Sequence, residues 1–222
     1  MRERNVYKSI VILAAVLFVF VYARGRISLW LREQKSYGFV IGSQSELTEG
    51  AVGEFIKLMG MRQFLPTASA QVTLKLEGYT LETELMGIYL EEYPLKWEAA
   101  KETVTLSETA ALFLGKESFA AFTDQSGHRP TKGQIEKWIA HYGELSIAVL
   151  DETGQEKQAK VYGILAEPER IVCMDKGQME EVFGSVCRVR GGYMQVHGYR
   201  NTEMAKQVLQ DAGFSVEEVS LE

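Results

Sequence analysis

The sequence predicts an N-terminal transmembrane helix followed by a mixed, mainly antiparallel α+β domain of two small lobes. Three observations predict it. An uncharged apolar run lies close to the start, pairs of alternating apolar segments are joined by turn residues, and short helical stripes of apolar residues fall between those pairs.

The 222 residues are 46% apolar and 24% charged, a composition that excludes wholesale disorder. Without an N-terminal anchor roughly 185 residues remain, enough for one sizeable domain or two lobes sharing a core. Charge is unevenly spread. Residues 1–35 hold seven Lys/Arg and two Glu, a net of +5, while the whole chain carries −6, leaving −11 for residues 36–222. A basic segment flanking an apolar run suits anionic headgroups. An acidic body argues against nucleic acid as a partner.

The anchor comes first. No charge occurs from Ser9 to Ala23, and Ile10, Val11, Ile12, Leu13, Val16, Leu17, Phe18, Val19, Phe20 and Val21 form its apolar body. Fifteen residues of helix reach ~22 Å, short of a ~30 Å hydrocarbon core. Val6 and Tyr7 extend the run on one side and Ile27, Leu29, Trp30 and Leu31 on the other, so residues 6–31 read as one helix. Tyr7, Tyr22 and Trp30 are interface anchors, and Lys8, Arg24 and Arg26 can snorkel. A cleaved signal peptide ending at Val21-Tyr22-Ala23 is one alternative, and a buried core helix is another. The length of the run and its continuation past Ala23 favour a lasting anchor. Three Lys/Arg precede the span and four follow it, so charge does not set its orientation.

The domain boundary falls at residue 35. Thr48 caps a helix whose stripe is Val52, Phe55, Ile56 and Met59, ended by Gly60. Val72, Leu74 and Leu76, then Leu81, Thr83 and Leu85, alternate around Glu77-Gly78-Tyr79, a hairpin. Ser107 caps a short helix through Ala110, Ala111 and Leu114. Lys132 to Tyr142 is an amphipathic helix with Ile135, Trp138 and Ile139 inward. Leu145 to Leu150 and Lys157 to Leu165 form a second hairpin, and an inserted lobe spans about 95–165. A strand from Arg170 to Met174 leads into a helix with capping-box spacing from Asp175 to Gln178. Val186 to Arg190 and Tyr193 to Tyr199 are strands around Gly191-Gly192. Asn201 caps a helix with stripe Met204, Ala205, Val208, Leu209 and Ala212, and Phe214 to Val219 is a final strand.

Chemistry-bearing patterns are sparse. Gly115-Lys116 lacks the glycine five positions earlier and the following Ser/Thr of a phosphate loop, since Ala110 and Glu117 stand there. His128, His141 and His197 have no paired His or Cys at ligand spacing, and no nucleophile elbow occurs. No catalytic residue, metal ligand or cofactor is expected. Cys173 and Cys187 lie too far apart for a redox C-x-x-C motif. Two buried apolar thiols is the simpler reading. A Cys173–Cys187 disulfide is the alternative in an oxidising compartment, contributing ~3 kcal/mol.

Five segments in order resemble the external domain of the MacB/FtsX-like ABC transporter permease family. They are SELTEGAVGEFIKLMGMRQFLP (45–66), LETELMGIYLEEYP (81–94), VTLSETAALFLG (104–115), AKVYGILAEPERIVCMDKGQMEEVFG (159–184) and VHGYRNTEMAKQVLQDAGFSVE (196–217). The resemblance implies a domain outside the cytosol, held at the plasma membrane by a single span. Members of that family return to the membrane after this domain. No second apolar span and no ATPase motif follow here, so the resemblance implies a truncated or accessory member beside an ABC permease or ATPase complex. Two other functions stay open: a ligand- or lipid-binding sensor with a cavity lined by Phe113, Phe119, Phe122 and Trp138, and a membrane-anchored hydrolase.

Overall fold

The computed structural model describes residues 20–100, 110–166, 171–184 and 186–219. Most of the anchor, residues 1–19, lies outside the described residues, as does Ser107. Helix α1 is described over residues 20–33, two residues past the expected end. Among the described residues no helix is long and apolar enough to cross a membrane.

The body is a mixed α+β fold whose strands join one sheet. Strand β1 (Ser36–Gly42), α2 (Glu49–Ile56) and the first half of β2 (Met61–Leu76) lead in, and β9 (Arg188–His197), α5 (Tyr199–Asp211) and β10 (Ser215–Val219) close the chain. These strands lie in the order β10-β1-β9-β2, each antiparallel to its neighbour. This is a split βαβ arrangement of the ferredoxin-like kind. Its helices cover one face, where Phe55, Ala205 and Leu209 pack on Phe39, Ile41, Met194 and Val196.

The second half of β2 belongs to a different layer. It pairs with β3 (Tyr79–Ile88) on one side and β6 (Ser146–Asp151) on the other. The ladder continues from β3 to β8 (Val172–Asp175), to β5 (Ala110–Gly115), to β7 (Glu156–Leu165) and back to β6. Six strands thus close into a small barrel, in which only β3–β8 and β5–β7 are parallel. Small barrels are filled by side chains from alternate positions of every strand. Here Val72, Leu74, Leu85, Leu112, Leu114, Ile147, Val149, Val161 and Val172 fill the interior. The one-residue shift between Leu112 and Phe113 lets β7 present both Val161 and Ile164 inward.

Both barrel ends are plugged. Helix α4 (Lys176–Phe183), capped by Asp175 Oδ1 accepting from the Gln178 N–H, brings Met179 and Phe183 to one end. At the other, a 3₁₀ turn (Lys116–Ala121) and α3 (Lys132–Ala140) supply Phe119, Phe122 and Trp138. The indole N–H of Trp138 donates at 2.9 Å to Glu77 Oε2, in the tight β2–β3 turn where Glu77 has φ +48° and Gly78 φ +87°. Outside the barrel, residues 89–95 and β4 (Trp97–Ala100) lie over a third cluster of Ile88, Ala111, Phe113, Leu165 and Cys173.

Several expectations are corrected. Ala110, Ala111 and Leu114 form a strand, not a helix, because the run is buried on both faces and carries no helical period to obey. Gly191-Gly192 is no turn between two strands. A Cβ at 191 would collide with the Ile41 carbonyl and one at 192 with the Leu65 carbonyl, so the glycines let β1 and β2 approach a single continuous β9. Helix α2 stops at Ile56, and of its expected stripe Phe55 is buried while Ile56 and Met59 are exposed. Helix α5 starts at Tyr199 behind Gly198, and Asn201 instead donates to the His197 carbonyl.

Candidate functional site at the tether junction

Helix α1 stands off the domain. From residue 20 to 32 every side chain is exposed, among them Phe20 (64%), Val21 (67%), Ile27, Leu29, Trp30 (61%) and Leu31. A helix with large apolar residues on all sides is normally buried in a core or in lipid. Of the residues expected to form the apolar body of an anchor, Phe20 and Val21 lie within the described residues, and neither belongs to a core cluster.

The base of α1 is locked to the corner between β9 and α5. The Arg32 guanidinium sits 3.6 Å over the Tyr199 ring, a contact of about 0.5–1 kcal/mol at an exposed site. Tyr37, at the start of β1, donates its hydroxyl to the Arg32 carbonyl at 3.1 Å and meets Tyr199 edge-on at 6.1 Å. The Gly198 N–H donates to the Lys35 carbonyl at 2.9 Å. Gly198 has φ +87°, and a Cβ there would press on Glu33 Oε2.

Glu33 completes the joint. Gly198 has no side chain with which to cap α5. The carboxylate of Glu33 takes that place, accepting from the Arg200 N–H at 3.3 Å and pairing with Arg200 Nε at 3.5 Å. A negative charge at a helix N-terminus is favourable. Helix α1 is therefore a positioned element, since ring, carboxylate and backbone contacts all act on its end and the residues that follow it, 32–37.

A cleft of about 450 Å³ lies between α1 and the start of α5, lined by Arg26, Ile27, Leu29, Trp30, Glu33 and Arg200. Arg26, Trp30 and Glu33 recur at i, i+4, i+7 and so share one helix face. A smaller groove of about 220 Å³ on the uncovered face of the split βαβ sheet has exposed Glu84 and Arg190 on its walls.

Other candidate groups are scattered. His128 lies in an exposed turn, its Nδ1 3.4 Å from Asp124. The backbone N–H of His128 above all, with that of Ser126, holds the Asp124 carboxyl below its usual range. His141 ends α3 and His197 ends β9. Among the described residues no group of His, Cys, Asp or Glu is arranged to hold a metal ion. Phe119 and Phe122 each pack on Trp138, at 6.3 and 6.0 Å, inside the barrel end, and Phe113 packs on Trp97 outside it, so these aromatics line no common cavity.

Cys173 and Cys187 are free thiols. Cys173 points into the cluster outside the barrel, whereas Cys187 packs against the barrel core and donates to the Met179 carbonyl at 3.7 Å. Burial pushes the Cys173 thiol up to about 12 and raises that of Cys187 as well.

Sequence reasoning extended a helix to residue 31 but missed the joint at its end, whose partners lie as far as 167 residues apart in the chain.

No protein-family model and no curated protein matches the chain. Two of the solved structures similar to it are domains of transporters or their regions. One is the extracellular domain of the noncanonic ABC-type transporter YknZ from Gram-positive bacteria, at 12% identity and a TM-score of 0.47, covering 84% of this chain and 100% of that one. The other is the periplasmic region of MacB from Actinobacillus actinomycetemcomitans, at 10% identity and a TM-score of 0.49, covering 82% of this chain and 88% of that one. The chain thus resembles the extracellular and periplasmic domains of YknZ and MacB ABC-type transporters over most of its length.

Proposed function

We propose that the chain is a single-pass, membrane-anchored, non-enzymatic module outside the cytosol that docks with an ABC permease or ATPase complex. Residues 1–35 are the anchor and 36–222 the external domain, with an inserted lobe at about 95–165. The observation that carries this reading is α1: a helix exposed from residue 20 to 32, with large apolar side chains among them, that takes up the end of the uncharged run of sequence and is locked at its base to the β9–α5 corner.

Tethering supports a docking role because it holds the domain at high local concentration near membrane partners without added affinity. The ordered resemblance of five sequence segments supports a transporter as that partner. The separation of His128, His141 and His197 on different elements supports a role without catalysis.

Three measurements test this. In alkaline carbonate extraction the full chain stays in the membrane pellet, and a C-terminal tag is digested by external protease in intact cells. A detergent pull-down recovers an ABC-type ATPase or permease. Release into the soluble fraction, or a tag protected until lysis, would overturn the tethered topology. Recovery of no transporter subunit would overturn the partner.

A further inference from the structure

We propose that the cleft between α1 and α5 is a binding site for the phosphate of an anionic phospholipid headgroup, held between Arg26 and Arg200. The inference rests on the reading of α1 as a bilayer tether.

The level is right for a headgroup. The uncharged run ends at Ala23, and Arg24 and Arg26 follow at once. Seven residues of helix separate Arg26 from Glu33, a rise of about 10 Å. The headgroup layer of one leaflet is about 5–8 Å thick. With Arg26 at the hydrocarbon boundary, the β9–α5 corner stands directly on that layer, and the cleft between them opens into it.

The chemistry is right as well. Arg26 makes no ion pair among the described residues and is exposed. Arg200 is 75% exposed and gives Glu33 one long contact at 3.5 Å, leaving most of its five donors free. Guanidinium groups match phosphate oxygens in pairs. Trp30, on the same face of α1 as Arg26, is a side chain suited to the headgroup boundary. Ile27 and Leu29 give the cleft an apolar wall where a lipid glycerol and upper chain would lie. The domain as a whole is strongly acidic, so this basic corner is the part that an anionic surface attracts.

The test uses the full chain in mixed detergent–lipid micelles, with retained lipid counted by native mass spectrometry, and in parallel its flotation with vesicles. Phosphatidylglycerol is expected to be retained in preference to phosphatidylcholine. Arg26→Gln and Arg200→Gln should each weaken that retention about fivefold, from about 1 kcal/mol per cation at an anionic surface. Arg26→Lys should retain most of it, with circular dichroism confirming the fold of each variant. Equal retention of the two lipids, or no change in Arg26→Gln, would sink the proposal. So would displacement of phosphatidylglycerol by millimolar inorganic phosphate, which would mean a site for free phosphate. In each of those cases the chain would still float with vesicles. Failure to float with either vesicle would instead remove the tether itself.

Discussion

The plug at the turn end of the barrel gives a sharp test of what holds the domain together. Trp138 is 1% exposed and wedged against Tyr79, Phe119 and Phe122. Its one polar atom donates to Glu77 Oε2, which also accepts from Gln134 Nε2 at 2.9 Å. Glu77→Ala removes the acceptor and leaves the backbone strain unchanged, because alanine suffers at φ +48° as glutamate does. A buried donor left without a partner costs about 1–3 kcal/mol. Glu77 is itself exposed at the barrel mouth, so water reaches part of the vacated site, and the lower half of that range, about 1–2 kcal/mol, is expected. For a domain of this size that lowers Tm by about 2–8 °C. Glu77→Gln keeps an acceptor and should stay near the parent. Thermal unfolding of the full chain in detergent, followed by far-ultraviolet circular dichroism, reads the effect. A Glu77→Ala midpoint within about 1 °C of the parent, or equal losses in the Ala and Gln variants, would refute this account of the plug.

Three further outcomes follow from the fold. In Asp151 the Thr153 hydroxyl bond, with backbone N–H groups of Gln155 and Thr153, outweighs burial and lowers the carboxyl pKa. A folded value below the unfolded ~3.9 gives stability present above that pH and lost as pH falls through the folded value. Acid unfolding should therefore be blunted in Asp151→Asn, and identical acid midpoints would count against it. Under native conditions near neutral pH a maleimide should modify Cys187 before the fully buried Cys173, and a mass loss of two hydrogens in the unreduced protein would reveal a disulfide instead. Gly191→Ala, meeting the Ile41 carbonyl, should cost about 1–3 kcal/mol, whereas Gly133→Ala in α3 meets nothing and should gain up to about 1 kcal/mol, both read as shifts in melting.

Much of the domain is legible where side-chain period and turn chemistry agree. The alternation around Glu77-Gly78 marks the β2–β3 hairpin, and Thr48 and Asp175 cap helices with the expected donors, Ala51 and Gln178. The first half of β2 is hidden, because Pro66, Ala68 and Ala70 lack strand character; their place comes from β9 and β3 across the sheet. Strand β5 is hidden because a short run buried on both faces has no period to distinguish strand from helix. The apolar run that leads into α1 is visible as composition, yet the joint at the end of α1 is not. Nothing local to Glu33 or Arg32 announces Arg200 or Tyr199, and only the tertiary fold brings them together.

Strand β2 serves both layers, pairing with β9 along Met61 to Ser69 and with β6 along Val72 to Lys75. About 130 residues separate Met61 from its partner Val196, a closure costing about 4 kcal/mol in chain entropy if made directly. Assembly of the six-strand ring first would gather that intervening chain and deliver β9 beside β2 at lower cost. Strand β1, made first, then waits for β9 and β10 from the far end of the polypeptide. The β10-β1-β9 ladder is thus the last to zip, and maturation of the joint at Glu33 must follow synthesis of α5.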